Sequence, residues 1–125
     1  MRGEQERILV VEDDALVRAT IVDMLNDLGY VVDSAATAME ARGKLERSEF
    51  DLLLTDIMLP DGETGLDMAE YAKQSTPEIN TVFMSGYAIE SIKSKLFMIR
   101  GARFIEKPFK KDEVAAVLRS VLGRC

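Results

Sequence analysis

The sequence predicts a doubly wound α/β fold, a parallel sheet of five strands in the order 2-1-3-4-5 with helices on both faces. Three observations carry that expectation. Five short apolar runs punctuate the chain, each followed by a stretch whose apolar residues recur at helical spacing. The connectors are mostly too short for anything but right-handed crossovers. The strands are too few for the six-stranded order of dinucleotide-binding folds, and no G-x-G-x-x-G follows the first run.

Ile8 to Val11 is the first strand, closed by Glu12, Asp13 and Asp14. Val17, Ile21, Met24, Leu25 and Leu28 then share a helical face, and Gly29 stands where that helix ends. Val31 to Ala35 is the second strand. Thr37, with Glu40 three residues later, has the form of a capping box, opening a helix through Ala41 and Leu45 to about Ser48. Leu52, Leu53, Leu54 and Thr55 read as a strand buried on both faces. That strand delivers Asp56 at its carboxyl end, where open α/β sheets bind ligands. Pro60, Asp61 and Gly62 supply loop chemistry.

Leu66, Ala69 and Ala72 mark the third helix, and Pro77 punctuates the return to the sheet. Thr81 to Ser85 is the fourth strand. Ile89, Ile92, Leu96 and Ile99 form the stripe of a fourth helix, diluted by Ser91, Ser94 and Phe97 and ended by Gly101. Arg103 to Glu106 is the fifth strand, followed by Lys107 and Pro108. A last helix turns Val114, Val117, Leu118, Val121 and Leu122 inward.

At 125 residues the chain is expected to be one domain over 1–125, with a core from about 7 to 122. No run approaches the roughly 20 apolar residues that span a bilayer, and the start reaches acids too quickly for a signal peptide. The expectation is a soluble cytoplasmic protein. The lone Cys125 has no partner for a disulfide or thiolate site, and histidine is absent, which excludes Ser-His-Asp chemistry and imidazole-bound zinc. The net charge of -6 argues against nucleic-acid binding. Residues 91–125 are nevertheless basic, with nine Lys or Arg against three acids, a pattern that reads as solvated helix surface before a dedicated acidic-partner site.

The chemistry concentrates at the strand ends. In the predicted order the first and third strands are neighbours at the switch point, so Glu12, Asp13 and Asp56 converge there, and the fourth and fifth strands add Ser85 and Lys107. Two unit charges about 4 Å apart repel by on the order of 4 kcal/mol at an effective dielectric near 20, so three acids require cationic compensation. Lys107 supplies one charge, and Mg²⁺ suits the remaining all-oxygen site. A divalent ion, an ammonium and a hydroxyl around one carboxylate are what phosphoryl transfer to that carboxylate needs, with Asp56 as nucleophile.

VVEDD, TDIMLPDGETG, FMSGYA and FIEKPF, taken together, resemble the four signatures of response-regulator receiver domains, the CheY-like (βα)5 members of the flavodoxin-like class. The resemblance covers Arg7 to Leu122. It implies that Glu12 and Asp13 are the acidic pair, Asp56 the phosphoacceptor, Ser85 the hydroxyl, Lys107 the lysine and Phe104 the switch aromatic. It further implies that the Met58 carbonyl and the Asp13 and Asp56 carboxylates ligate Mg²⁺, with Glu12 acting through water, and that Lys107-Pro108 is cis. Tyr87 and Met58 would stand at the pocket mouth and govern water access. The loop from Asp56 to Gly65 is one residue longer than in chemotaxis-type receivers, and the motif style is closer to receivers of hybrid sensor kinases.

The resemblance implies a phosphorelay receiver that takes its phosphoryl group from a sensor histidine kinase or a histidine phosphotransfer protein. Phosphorylation would draw Ser85 toward Asp56 and let Phe104 turn inward, changing a face made by the fourth helix, fifth strand and last helix, where an effector or a second copy binds. Lys93, Lys95, Arg103, Lys110 and Lys111 are its charged candidates. No membrane or nucleic-acid partner is expected. A Mg²⁺-dependent aspartyl-phosphate phosphatase is one alternative, although Asp56 is followed by Ile57 and Met58, where the haloacid-dehalogenase-like pattern has D-x-D, and there is no cap domain. An unphosphorylated interaction module is the other, although it has no use for three repelling acids.

Overall fold

The computed structural model describes residues 6–59, 62–85 and 102–122. Five parallel strands, β1 (Arg7–Val11), β2 (Val31–Ala35), β3 (Leu52–Asp56), β4 (Asn80–Ser85) and β5 (Ala102–Glu106), form one sheet in the order β2-β1-β3-β4-β5. This is the expected fold. The described helices are α1 (Ala15–Asp27), α2 (Ala38–Arg47), α3 (Gly65–Ser75) and α4 (Lys111–Leu122). None is long and apolar enough to cross a membrane. The expected helix over Ile89 to Ile99 lies outside the described residues, as do Pro60, Asp61, Tyr87, Lys93, Lys95, Gly101 and Cys125.

Side chains alternate across a strand, so each face of the sheet collects its own core. Ile8, Val10, Leu52, Leu54, Val82 and Met84 pack against Ile21 and Leu25 of α1 and Val114 and Leu118 of α4. Leu9, Val11 and Leu53 meet Ala38, Ala41 and Leu45 of α2 and Met68 and Ala72 of α3. β3 lies at the centre with every residue buried, which is why its sequence runs apolar without alternation. Truncating Leu53 or Leu54, both wholly inaccessible, is expected to cost about 2–5 kcal/mol.

The helix ends show which local signals act. Asp14 caps α1 by accepting the Val17 N–H at 3.0 Å, so the third acid after β1 is a cap. Gly29, at φ 95°, follows the α1 C-cap Leu28 in the left-handed conformation that glycine adopts without steric cost. At α2 the box is only half formed. Thr37 accepts the Glu40 N–H at 3.2 Å, but the Glu40 carboxylate reaches past the cap to the Ala36 N–H at 2.8 Å. The complete box is at α3, where Thr64 and Asp67 bond reciprocally.

Candidate functional site

Parallel pairing brings the carboxyl ends of β1, β3 and β5 to one edge. Val11 pairs with Thr55, which sets Glu12 level with Asp56 across the switch point. Glu12, Asp56 and Lys107 continue the alternation of Val10, Leu54 and Ile105, residues of the core under α1 and α4. Lys107 is fixed at its backbone, donating its N–H to the Ser85 carbonyl at 2.7 Å. The Lys107-Pro108 peptide bond is cis, as the resemblance implied.

The Lys107 ammonium donates to Asp56 Oδ1 and to Glu12 Oε1, both at 2.8 Å. Glu12 is 1% exposed and its second oxygen is also engaged, accepting the Asp14 N–H at 3.0 Å. Asp13 lies beside them, exposed. Glu12, Asp13 and Asp56 each offer an oxygen within 4.8 Å of the others. Among the described residues, three carboxylates thus face one ammonium, and acidic charge exceeds basic charge in the cluster. Burial pushes the Asp56 carboxyl up to about 7; Lys107 draws it back and the charge of Glu12 adds to the rise. Burial alone lowers the Lys107 pKa, but its bonds to Asp56 and Glu12 outweigh that and hold it above its ordinary value.

Met58 is 72% exposed in the loop after Asp56. Ser85 ends β4 and is buried. Phe104 belongs to the other face of the sheet, half-buried against Ile57, Ala69 and Phe83, with its ring 6.2 Å from that of Phe83 at 29°. The structure therefore brings Glu12, Asp13, Asp56 and Lys107 together, puts Ser85 at the adjoining strand end, and sets Phe104 below Ser85 on the sheet face opposite Asp56.

Two residues that the sequence reading did not single out shape this site. Arg18, on the first turns of α1, donates to the Glu12 carbonyl at 2.9 Å and grips the backbone that carries the acidic pair. Gly65 opens α3 where a Cβ would lie 2.5 Å from the Asp56 carbonyl oxygen and 3.1 Å from the Phe83 ring. An arginine five residues after Asp13 and a glycine at a helix start were the available signals.

Fold and cluster fit the family suggested by the motifs, and the chain belongs to it: the family model of the response regulator receiver domain matches residues 8–119. It is a receiver domain of two-component signalling, not a conventional enzyme. The chain is 30% identical over 117 residues to the response regulator receiver protein CpdR of Brucella abortus, covering 94% of this chain and 97% of that protein. It is also 30% identical over 119 residues to the sensor kinase CckA of that organism, a match that covers 94% of this chain but spans only 12% of CckA. Among solved structures, a CheY-like receiver domain protein from Methanospirillum hungatei is similar with a TM-score of 0.84 and 33% identity, over 96% of this chain and 95% of that one.

Proposed function

We propose that this receiver accepts a phosphoryl group on Asp56 from a phosphohistidine of a sensor histidine kinase or histidine phosphotransfer protein. One observation carries the reading: Lys107 holds Asp56 Oδ1 at 2.8 Å in a cluster where the oxygens of Glu12, Asp13 and Asp56 converge. With Oδ1 so held, the other Asp56 oxygen attacks phosphorus; the phosphorus–nitrogen bond breaks and the leaving imidazole takes up a proton. Lys107 keeps its charge beside the phosphoryl oxygens that Asp56 acquires. Water later attacks the same phosphorus and releases inorganic phosphate, with Met58 and Tyr87 proposed to obstruct its approach.

The donor set fits Mg²⁺. All donors are oxygens, and Asp13 and Asp56 are near enough to share an ion, while both Glu12 oxygens already accept hydrogen bonds and suit an outer role through water. Asp13, Asp56 and the Met58 carbonyl would hold the ion, which when bound neutralises charge on the phosphoryl oxygens.

A groove of about 520 Å³ beside the cluster supports docking of a protein donor. Leu16, Val17, Thr20 and Met24 of α1 line it with Pro108 and Phe109, and Leu16 is 81% exposed next to the acid cluster. Output follows from Ser85 moving toward the phosphoryl oxygens and Phe104 turning inward, altering the face of β5 and α4. Arg103 and Lys110 are its described cations, with an effector or a second copy as partner; Lys111, expected there too, instead pairs with Asp27 of α1 at 3.5 Å. The net charge of -6 disfavours a nucleic-acid partner for the domain as a whole, and the reading puts the domain in the cytoplasm. Phosphotransfer from a histidine kinase, set against phosphate release from small phosphomonoesters, tests the proposal. Rapid turnover of the esters without transfer from the kinase would instead make this a phosphatase.

A further inference from the structure

After Asp56 the arms 57–59 and 62–64 pair as a small hairpin, and a residue of α2 holds it from outside. Its arms meet at an antiparallel bridge with Met58 opposite Thr64. The bonds that flank the bridge run from Gly65 N–H to the Ile57 carbonyl at 2.6 Å and from Leu59 N–H to the Glu63 carbonyl at 3.0 Å. Met58 and Thr64 are therefore the non-hydrogen-bonded pair, and the N–H and C=O of Met58 point away from the returning arm. Where the Met58 carbonyl stands is set by where the hairpin as a whole is held.

Leu59 anchors one arm in the core under α2 and α3, and the Thr64–Asp67 box anchors the base. Between them the returning arm is held by Glu63, whose carboxylate pairs with the Arg42 guanidinium of α2. That guanidinium also lies over the Tyr71 ring of α3, 5.4 Å from its centroid. One planar cation thus ties α2, the hairpin and α3 together, a geometry that a lysine cannot reproduce. The two side chains are 34% and 25% exposed, so the pair adds little to global stability. Its consequence is geometric, because Glu63 is the residue whose carbonyl accepts the Leu59 N–H beside Met58.

We propose that Arg42, acting through Glu63, is a positioning residue for the metal centre: it sets the hairpin that carries the Met58 carbonyl. The inference rests on the magnesium reading above. Titration calorimetry of Mg²⁺ into the full chain tests it, with Asp13→Ala as the control that should abolish binding. Arg42→Ala and Glu63→Gln should each weaken Mg²⁺ binding about three- to tenfold, at or below the low end for groups that touch a ligand directly. Arg42→Lys should fall between, the exchanged pair Arg42→Glu with Glu63→Arg should recover most of the loss, and melting temperatures in chelator should barely change.

Wild-type Mg²⁺ affinity in both Arg42→Ala and Glu63→Gln, with binding still lost in Asp13→Ala, would overturn this inference and leave the metal reading standing. Wild-type protein that binds no Mg²⁺ would overturn both. If Arg42→Ala fails to fold, Glu63→Gln decides by the same criterion. Weakened singles that the exchange does not rescue would also overturn the proposal, since the pair would then not be the agent.

Discussion

Lys107 Nζ stands 2.8 Å from Asp56 Oδ1, joining the end of β3 to the first residue past β5 across the whole width of β4. The same ammonium bonds Glu12, so its removal would leave two buried carboxylates facing each other. Lys107→Ala should therefore destabilise the fold by about 2–3 kcal/mol, below most broken buried pairs because the lysine head is partly exposed. Asp56→Asn should be neutral or slightly stabilising without metal, because it deletes a desolvated charge while Lys107 keeps Glu12. Urea melts in chelator measure both, and an Asp56→Asn protein less stable than Lys107→Ala would refute the charge argument.

Docking through the α1 groove makes a separate prediction. Leu16→Glu, on an 81% exposed position, should slow phosphotransfer from a protein phosphohistidine at least tenfold, equivalent to about 1.4 kcal/mol. Phosphorylation by a small acyl phosphate should proceed at the wild-type rate. Equal slowing with both donors would show that Leu16 acts on the chemistry and not on docking.

Gly65 sets the approach of α3 to Asp56. Gly65→Ala puts a methyl group 2.5 Å from the Asp56 carbonyl oxygen, against backbone that must shift. A loss of about 1–3 kcal/mol is expected, together with slower phosphorylation of Asp56. Unchanged stability and rate would mean that the helix start yields freely.

Phe104 pairs with Phe83 and Ser85 with Glu106, so Ser85 and Phe104 share one sheet face two residues apart along the ladder. Phe104 is already half-buried, so turning it further inward would gain less than the roughly 1.5–3 kcal/mol of a full apolar burial, a bias between two states and not a lock. Phe104→Ala should leave Asp56 phosphorylation nearly intact while weakening the phosphorylation-dependent gain in partner or self-association. Sedimentation or partner titration with and without an acyl phosphate measures that gain, and its survival undiminished would uncouple Phe104 from the site.

The strands were legible because β1 and β3 are dominated by apolar runs; Asp56 was legible because it closes the β3 run, and Lys107 because it stands immediately past β5 and before Pro108. Local caps were less legible. The Thr37–Glu40 spacing matched a capping box, yet Glu40 took the Ala36 N–H instead, while the working box at Thr64 uses Asp67 where the pattern names Glu or Gln. The Arg42–Glu63 tie joins residues 21 positions apart and follows no period, so only the packed fold displays it. The Phe83–Phe104 stack likewise depends on the β4-β5 register, which alternation alone does not fix.

The central claim, that Asp56 is the phosphoacceptor, is tested most directly by mapping the phosphoryl group after reaction with a phosphorylated histidine kinase and Mg²⁺. Borohydride reduction of the acyl phosphate followed by peptide mass spectrometry should convert Asp56 alone to homoserine, with no labelling in Asp56→Asn and little in Asp13→Ala. Labelling of another residue in the wild-type protein, or undiminished labelling in Asp56→Asn, would contradict the account.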